Sequence, residues 1–424
     1  TLEETLRKQK ETTRINFSKY YSFTEQVFQV SLEDISSHLK PGQLQLNYFM
    51  TPSTYYLLAV DDTHSQIHKI NKSDTLVSMI ELLLAEVSGE NLMLNGPAES
   101  FSNFSKAAYY IYQKLLEPAL EGRSVNEIII IPDDLLSNIP FEVLLTNPNQ
   151  SKRTNFQSLE YLIKKLDIQY GYSATLWMQN YEKNERLTSP KLVAFGTSLS
   201  GREGLADLPA VQEEMKQLSK ISNNEIYLNT SATKENFKFA TKNADVIHLA
   251  LHNANDYENP LNSRLILDQN GREDEKDIFL YEVFDMDLQP SLVVLSGCDT
   301  GWGKWQKGEG AYHMGRGFLY HGNPALITSL WKARDNATAS IMKHFYEQLS
   351  NGQKSSVAIR NAKLNYLSKA DELMSHPSNW AAFVGVGQMY INKKENNYMT
   401  LVIVGLLLVV VTILTIKNKK ATHS

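Results

Sequence analysis

A single cysteine, Cys298, in 424 residues excludes an internal disulfide framework and any zinc site built on thiolates. It leaves the redox compartment open, since a disulfide-free chain is compatible with either side of a membrane. An excess of one charge is also missing: 42 basic residues face 47 acidic ones. No basic stripe interleaved with aromatics runs through the chain, so direct nucleic-acid binding is not expected. Tandem repeats and low-complexity tracts are absent. A phosphate cradle is absent too. A Walker loop needs G-x-x-x-x-G-K-[ST], but Cys298 stands five positions before Gly303, and Trp305 follows Lys304 where Ser or Thr would hold magnesium. The "GRG" at 315–317 falls inside a helical pattern and is no dinucleotide fingerprint. His64 and His68 are spaced i, i+4, but "DDTHSQIHKI" reads as a hairpin with no third ligand near it. No metal and no cofactor is expected.

What is present begins with size: at 42% hydrophobic the chain can bury one large core or two medium ones. Its longest apolar run is C-terminal. Residues 399–416, "MTLVIVGLLLVVVTILTI", carry no charge and no proline and are followed by "KNKK". Roughly 18 apolar residues suffice to span a bilayer as a helix, so 399–416 is expected to be a transmembrane helix with 417–424 as a basic tail. Lys417, Lys419 and Lys420 after the run, against Lys393 and Lys394 before it, tilt the positive-inside rule toward a cytoplasmic tail and leave the side of the catalytic part open. The chain starts at Thr1, so an upstream signal peptide or domain would be invisible.

Residues 1–40 read as a polar helical linker ending at "KPGQL", the end of something longer. "LQLNYFMTPSTYYLLAVDD" alternates and is rich in aromatics, which predicts a hairpin. Helical spacing runs through 75–120. The isoleucine run of "NEIIIIPDD" predicts a strand buried on both faces, as in a parallel sheet. From Lys191 strands and helices alternate. "KLVAFG", "NEIYLN", "ADVIHLALH", "PSLVVLSGC" and "NPALITSLW" are predicted strands. "LPAVQEEMKQLSKI", "SATKENFKFATK", "EGAYHMGRGFLYHG" and "DNATASIMKHFYEQLSNG" are predicted helices, the last opening at Asp335 and stopping before Gly352. A hinge or long loop is expected between 195 and 203. The pattern predicts an α/β fold with a mostly parallel sheet, in two halves at 40–185 and 190–390.

Ligands of open parallel sheets gather at the C-terminal ends of the strands. Cys298 ends one predicted strand and His252 another, while His248, four residues earlier and about 13 Å back at strand rise, reads as structural. A lone cysteine is ordinarily a small buried hydrophobe. If the two strands are neighbours, however, the His252 imidazole can take the thiol proton and leave a nucleophilic thiolate. The backbone N–H groups of Cys298 and Asn253 are then the candidate oxyanion donors.

In order, the motifs "VIHLALH", "SGCDTG", "GEG", "SLW" and "WAAF" resemble the CHAT domain, a caspase- and separase-like cysteine peptidase family often fused to tetratricopeptide repeats. The resemblance extends back through "LADLPAVQEEM" and "IIIIPDDLLSNIPFEVLL" to cover residues 40–390. His252 and Cys298 are 46 residues apart, close to the caspase spacing of about 50. The resemblance implies a caspase-like α/β sandwich whose N-terminal half supports the catalytic half. It implies His252 as general base and Cys298 as nucleophile, with Trp331 and Asp299 bordering the substrate groove. Relatives commonly carry glycine after the histidine; this chain has Asn253, a residue that tolerates left-handed backbone angles better than most. The expected function is a membrane-anchored endopeptidase acting on protein substrates, regulated through an upstream tetratricopeptide-type partner-binding region and a mobile stretch at 301–310. The alternative is a catalytically inactive caspase-like scaffold that assembles partners at a membrane.

Overall fold

An unbroken isoleucine run has no polar face to offer water, and Glu127–Ile131 is buried along its whole length inside a sheet. The computed structural model describes residues 30–149, 153–182, 186–198, 207–221, 223–256, 258–267, 276–297, 304–306, 310–312, 314–319, 321–322 and 324–392. Among them, eleven strands form one mixed, mostly parallel sheet. β1 (Gln43–Met50), β2 (Thr54–Val60) and β3 (Ser65–Asn71) are an antiparallel ladder, one strand more than the predicted hairpin. β4 (Glu127–Ile131) pairs parallel with β1, and β5 (Asp167–Tyr170) parallel with β4.

The second series starts with β6 (Leu192–Gly196), β7 (Asn224–Leu228) and β8 (Val246–Ala250), all parallel. A separate antiparallel sheet of β9 (His252–Ala254), β10 (Arg264–Ile266) and β11 (Ile278–Phe279) then branches off. β12 (Leu292–Leu295) and β13 (Ala325–Ser329) return to the large sheet, parallel to β8 and to each other. β14 (Phe383–Val386) runs antiparallel to β13 and closes the seam to β5. The order across the sheet is β3-β2-β1-β4-β5-β14-β13-β12-β8-β6-β7.

Helices lie on both faces of the sheet. α1 (Leu32–His38) is started by a capping box in which Ser31 Oγ accepts the Asp34 N–H and Asp34 accepts the Ser31 N–H. α2 (Asp74–Val87) has Ser73 as its cap, and α3 (Pro97–Leu115) carries proline in its first turn. α4 (Ala174–Glu182) joins α1 over the far face of β2 and β4. α5 (Ala210–Leu218) buries Val211, Glu214, Met215 and Leu218, one helical stripe with a carboxylate in it. α6 (Asp335–Ser350) and α7 (Ser355–Lys369) pack against each other.

One expectation changes. "EGAYHMGRGFLYHG" is not one helix: Gly310–Tyr312 is a strand paired with Lys304–Gln306, and the helix is confined to Met314–Leu319. Gly310 weakens a helix start, whereas Gly317 lets the helix pack closely on Leu280 and Val283, where a Cβ would sit 2.6 Å from Leu280 Cδ1. The run 399–416 lies outside the described residues, as do 1–29; among the described residues no helix is long and apolar enough to cross a membrane.

Counted along the chain from β6, the order β7-β6-β8-β12-β13 is 2-1-3-4-5. Build-up reverses between β6 and β8, which places a ligand crevice at their C-terminal ends.

Candidate functional site

β8 and β12 pair in parallel from Val246 opposite Leu292 to Leu249 opposite Leu295, a register offset of 46. Ser296 N–H continues the ladder with a 2.8 Å bond to Leu249 O. One residue further the two chains come too close for a side chain. A Cβ on Gly297 would lie 2.0 Å from the Leu251 carbonyl oxygen, so the position admits only glycine.

His252 follows that carbonyl directly. Here the sequence reading needs correction, because His252 does not end β8. That strand stops at Ala250, and His252 opens β9, opposite Ile266 of β10. Alternation in "VIHLALH" runs on past the break, which is set by the tertiary contact between Gly297 and Leu251. His252 is buried, 7% exposed. Asn253 pairs opposite Leu265 within β9 and is not among the described non-glycine residues with positive φ. A left-handed backbone is therefore not what this position demands. Its amide Nδ2 donates to Asn255 Oδ1 at 2.8 Å. Beyond it, Asp256 accepts the N–H groups of Glu258 and Asn259 and shapes the following turn.

Cys298 and Asp299 lie outside the described residues, and so do 301–303 and 307–309 of the glycine-containing stretch. What leads up to Cys298 is described. Ser296 Oγ donates to Glu214 Oε1 at 2.7 Å, and the Gly297 carbonyl accepts from Ser329 Oγ. Glu214 is itself 3.0 Å from His248 Nε2, and His248 Nδ1 lies 3.0 Å from the Tyr346 hydroxyl. His248, the expected structural histidine, is fully buried. Burial holds the Tyr346 hydroxyl well above its usual pKa, with the Glu214 charge acting the same way. A cavity of about 30 Å³, enough for one or two waters, opens between Ala250, Ser296, Gly297, Ser329 and Glu214. On the far side of the crevice Ser198 is held by Asn229, whose Oδ1 accepts both its N–H and its Oγ–H, at 2.8 and 3.0 Å. Asn229 has φ +52°, a conformation asparagine adopts at low cost.

Trp331 is buried, and its indole N–H donates to Ser378 O at 3.0 Å; it does not line the cavity, whereas Ser329 and Ala333, two positions to either side, do. Sequence reading missed Glu214 and Ser296, while the resemblance sets Ser329, with Leu330 and Trp331, at the border of the substrate groove. Glu214 had a signal, a carboxylate on the apolar stripe of "LPAVQEEMKQL"; Ser296 had none.

The Trp331 anchor is tied to the first half of the chain. His376 Nδ1 accepts the Ser378 N–H at 3.1 Å, and its Nε2 lies 3.3 Å from Ser100 Oγ, which donates to Glu86. Burial, reinforced by the positive charge of Arg334, lowers the His376 pKa to about 4. An unfolded histidine titrates near 6.5, so the unfolded chain takes up a proton here before the native protein does. The stabilisation is complete above about pH 6.5 and declines as pH falls toward 4, by on the order of 3 kcal/mol. Urea unfolding from pH 7 to 4 should show this slope in the native protein, and His376→Gln should flatten it. An identical slope in the variant would remove His376 as its source.

Comparison with known proteins agrees with this geometry. The human and mouse tetratricopeptide repeat protein 28 are 27% and 26% identical to this chain over 213 residues, 42% of it in both cases. The chain spans only 8% of the length of those relatives. Among solved structures, separase in the Saccharomyces cerevisiae separase–securin complex superimposes with a TM-score of 0.56 at 10% identity, over 84% of this chain and 31% of that one, a likeness of fold. The sequence model of the CHAT domain matches residues 105–388. That is more than half of the chain, and the protein belongs to the CHAT domain family.

Proposed function

We propose that the chain is a CHAT-type cysteine endopeptidase, held at a membrane by residues 399–416, with His252 as general base and Cys298 as nucleophile. One observation carries the reading. The β8–β12 register offset is 46, and His252 and Cys298 are 46 residues apart. The same offset relates Gly297 to Leu251, whose backbones lie in close approach, so the residues that directly precede Cys298 and His252 are neighbours, which supports a pair between the two side chains. The pinning of Ser296 and Gly297 on one side, and the anchoring of His252 in β9 on the other, supports a prearranged pair.

In this reaction the imidazole of His252 takes the thiol proton and the thiolate attacks the scissile carbonyl carbon. The N–H groups of Cys298 and Asn253 receive the oxyanion. The protonated His252 gives its proton to the leaving amine, and water then hydrolyses the thioester. Trp331 and Asp299 would border the groove for the substrate chain. Two relatives are tetratricopeptide repeat proteins and the solved neighbour is separase in complex with securin. Both facts support a protein partner, here acting through an upstream region and ordering the 301–310 stretch.

A thiol-reactive peptide probe tests the pair. Cys298→Ala should abolish labelling and His252→Ala should slow it about 100-fold, the low end of general-base effects, with the thermal transition kept in both. Labelling indifferent to His252 would leave the inactive scaffold as the reading. Membrane attachment has its own check. The chain should stay with membranes through alkaline carbonate extraction, and a stop after Asn392 should release it; retention of the truncated form would place the attachment elsewhere.

A further inference from the structure

α5 carries a carboxylate where its packing needs none. Val211, Met215 and Leu218 bury the helix against the sheet. Gly196 of β6 lets them close in, since a Cβ there would stand 2.7 Å from Val211 Cγ1 and 3.1 Å from Met215 Cε. Glu214 lies in the same stripe and is buried with them. Taking a carboxylate out of water is costly unless hydrogen bonds and a counter-charge offset it. An apolar side chain at 214 would keep the helix docked without that cost. What the carboxylate holds is the end of β12.

Past Leu295 the chain is placed by directed bonds more than by packing. The cavity of about 30 Å³ opens beside it, with Glu214, Ser296, Gly297 and Ser329 in its lining, so close packing does not fix the strand end on that side. The Ser296 N–H bond to Leu249 O, 2.8 Å long, is supplied by the ladder. The bond from Ser329 Oγ fixes the Gly297 carbonyl. The bond from Ser296 Oγ to Glu214 Oε1, 2.7 Å long, ties the same two residues to α5. With a carboxylate as acceptor it belongs to the stronger, charge-assisted kind. Glu214 is oriented from behind. His248 Nε2 lies 3.0 Å from the same Oε1, and the Tyr346 hydroxyl lies 3.0 Å from His248 Nδ1. Side chains of β8, β12 and α6 thus converge on one carboxylate of α5.

We propose that Glu214 is a positioning residue. Through Ser296 it fixes the strand end from which Cys298 follows, and His248 and Tyr346 hold its carboxylate for that task. The consequence for reactivity rests on the peptidase reading; the hold on β12 does not.

Two measurements on the full chain in lipid nanodiscs keep these apart. The first is hydrogen exchange at the Ser296 amide. Glu214→Ala should speed it about 10-fold or more, as expected for a lost bond to a charged group, while the amides of β6 and β8 keep native protection and report the fold. Glu214→Gln still accepts from Ser296 Oγ and should stay within about threefold of native. The second is the labelling rate of Cys298 by the peptide probe across probe concentration. Ser296→Ala and Glu214→Ala should each lower the saturated rate about 10- to 100-fold, the cost of misalignment, with the half-saturating concentration unchanged. Ser296→Thr restores the hydroxyl and should recover most of the rate. A smaller folded fraction would lower the amount labelled and leave the rate. Should Glu214→Ala fail to fold, the two Ser296 variants and Glu214→Gln carry the test. Ser296 exchange indifferent to Glu214→Ala overturns the hold on β12. Faster exchange with an unchanged saturated rate, or a loss in Ser296→Thr equal to that in Ser296→Ala, overturns the positioning role and leaves the peptidase reading standing. Labelling indifferent to His252 defeats that reading and the positioning role with it, and the exchange result still decides whether Glu214 holds the strand end.

Discussion

Gly297→Ala is expected to abolish probe labelling at Cys298 and to destabilise the protein by about 3 kcal/mol, the upper range for overpacking a filled site. The added Cβ would stand 2.0 Å from Leu251 O, and both partners are backbone, so no rotamer change relieves the contact. Leu251 and Gly297 must separate by more than 1 Å. Each immediately precedes one of the two proposed catalytic residues, so the separation is delivered straight to His252 and Cys298. A displacement of about 1 Å costs on the order of 100-fold in reactions that depend on alignment. Gly385→Ala is the control. Its Cβ would meet Ile327 and Ile359 side chains at 3.5 Å, ordinary contact distance, and labelling should stay within twofold. Paired labelling rates and thermal melts decide the matter. Native-like labelling in Gly297→Ala would mean that the strand ends are not held where the thiol reacts.

That contact also marks the limit of what the sequence discloses. Strand and helix alternation after Lys191, and the isoleucine strand β4, follow from periods of 2 and 3.6 and from continuous apolar runs, which are local. The strand order is not local. β14, the strand of "AAFVGVG", is four residues long, runs antiparallel to β13 and slots in beside β5, a placement that only the pairing partners specify. The same holds for the switch from β8 to β9 at Leu251. The alternating pattern of "VIHLALH" passes through it, and the break arises from a glycine 46 residues away. Of the site, it was legible that His252 lies near a strand end, but not that the strand stops at Ala250 and His252 opens the next one. Glu214 was legible as a charge on an apolar stripe, but its partners Ser296 and His248 meet it only because α5 packs beneath the sheet. The concern over Asn253 came from a backbone conformation that the β9–β10 pairing does not impose.

Lys363→Met is expected to lower stability by about 3–5 kcal/mol, the cost of leaving one buried charge without its partner, and the melting temperature by about 5 °C. Lys363, on α7, is 1% exposed and donates to Glu142 Oε1 at 3.0 Å. Glu142 belongs to the turn after β4, and its other oxygen accepts the hydroxyl of Tyr170, at the end of β5. The Tyr170 oxygen in turn accepts the Phe141 N–H at 2.7 Å. Burial first, and the Glu142 charge next, hold the Tyr170 hydroxyl well above its ordinary pKa. It therefore stays a donor to the carboxylate. The cluster sits at the seam, because Tyr170 is the β5 residue that pairs with Val386 of β14. Without the ammonium, a carboxylate remains in a dry site with one hydroxyl for company. Glu142→Gln in the same background removes that charge and keeps an acceptor for Tyr170, so the double variant should recover more than half of the loss. Arg153→Ala supplies the contrast. Its ion pair to Glu372 has side chains 80% and 56% exposed, and pairs of that kind contribute about 0–1 kcal/mol. Urea unfolding of the four proteins gives the comparison. If Lys363→Met and Arg153→Ala are equally mild, the Lys363–Glu142 pair does not hold the two series of strands together, and the seam rests on the apolar packing of β5 and β14 alone.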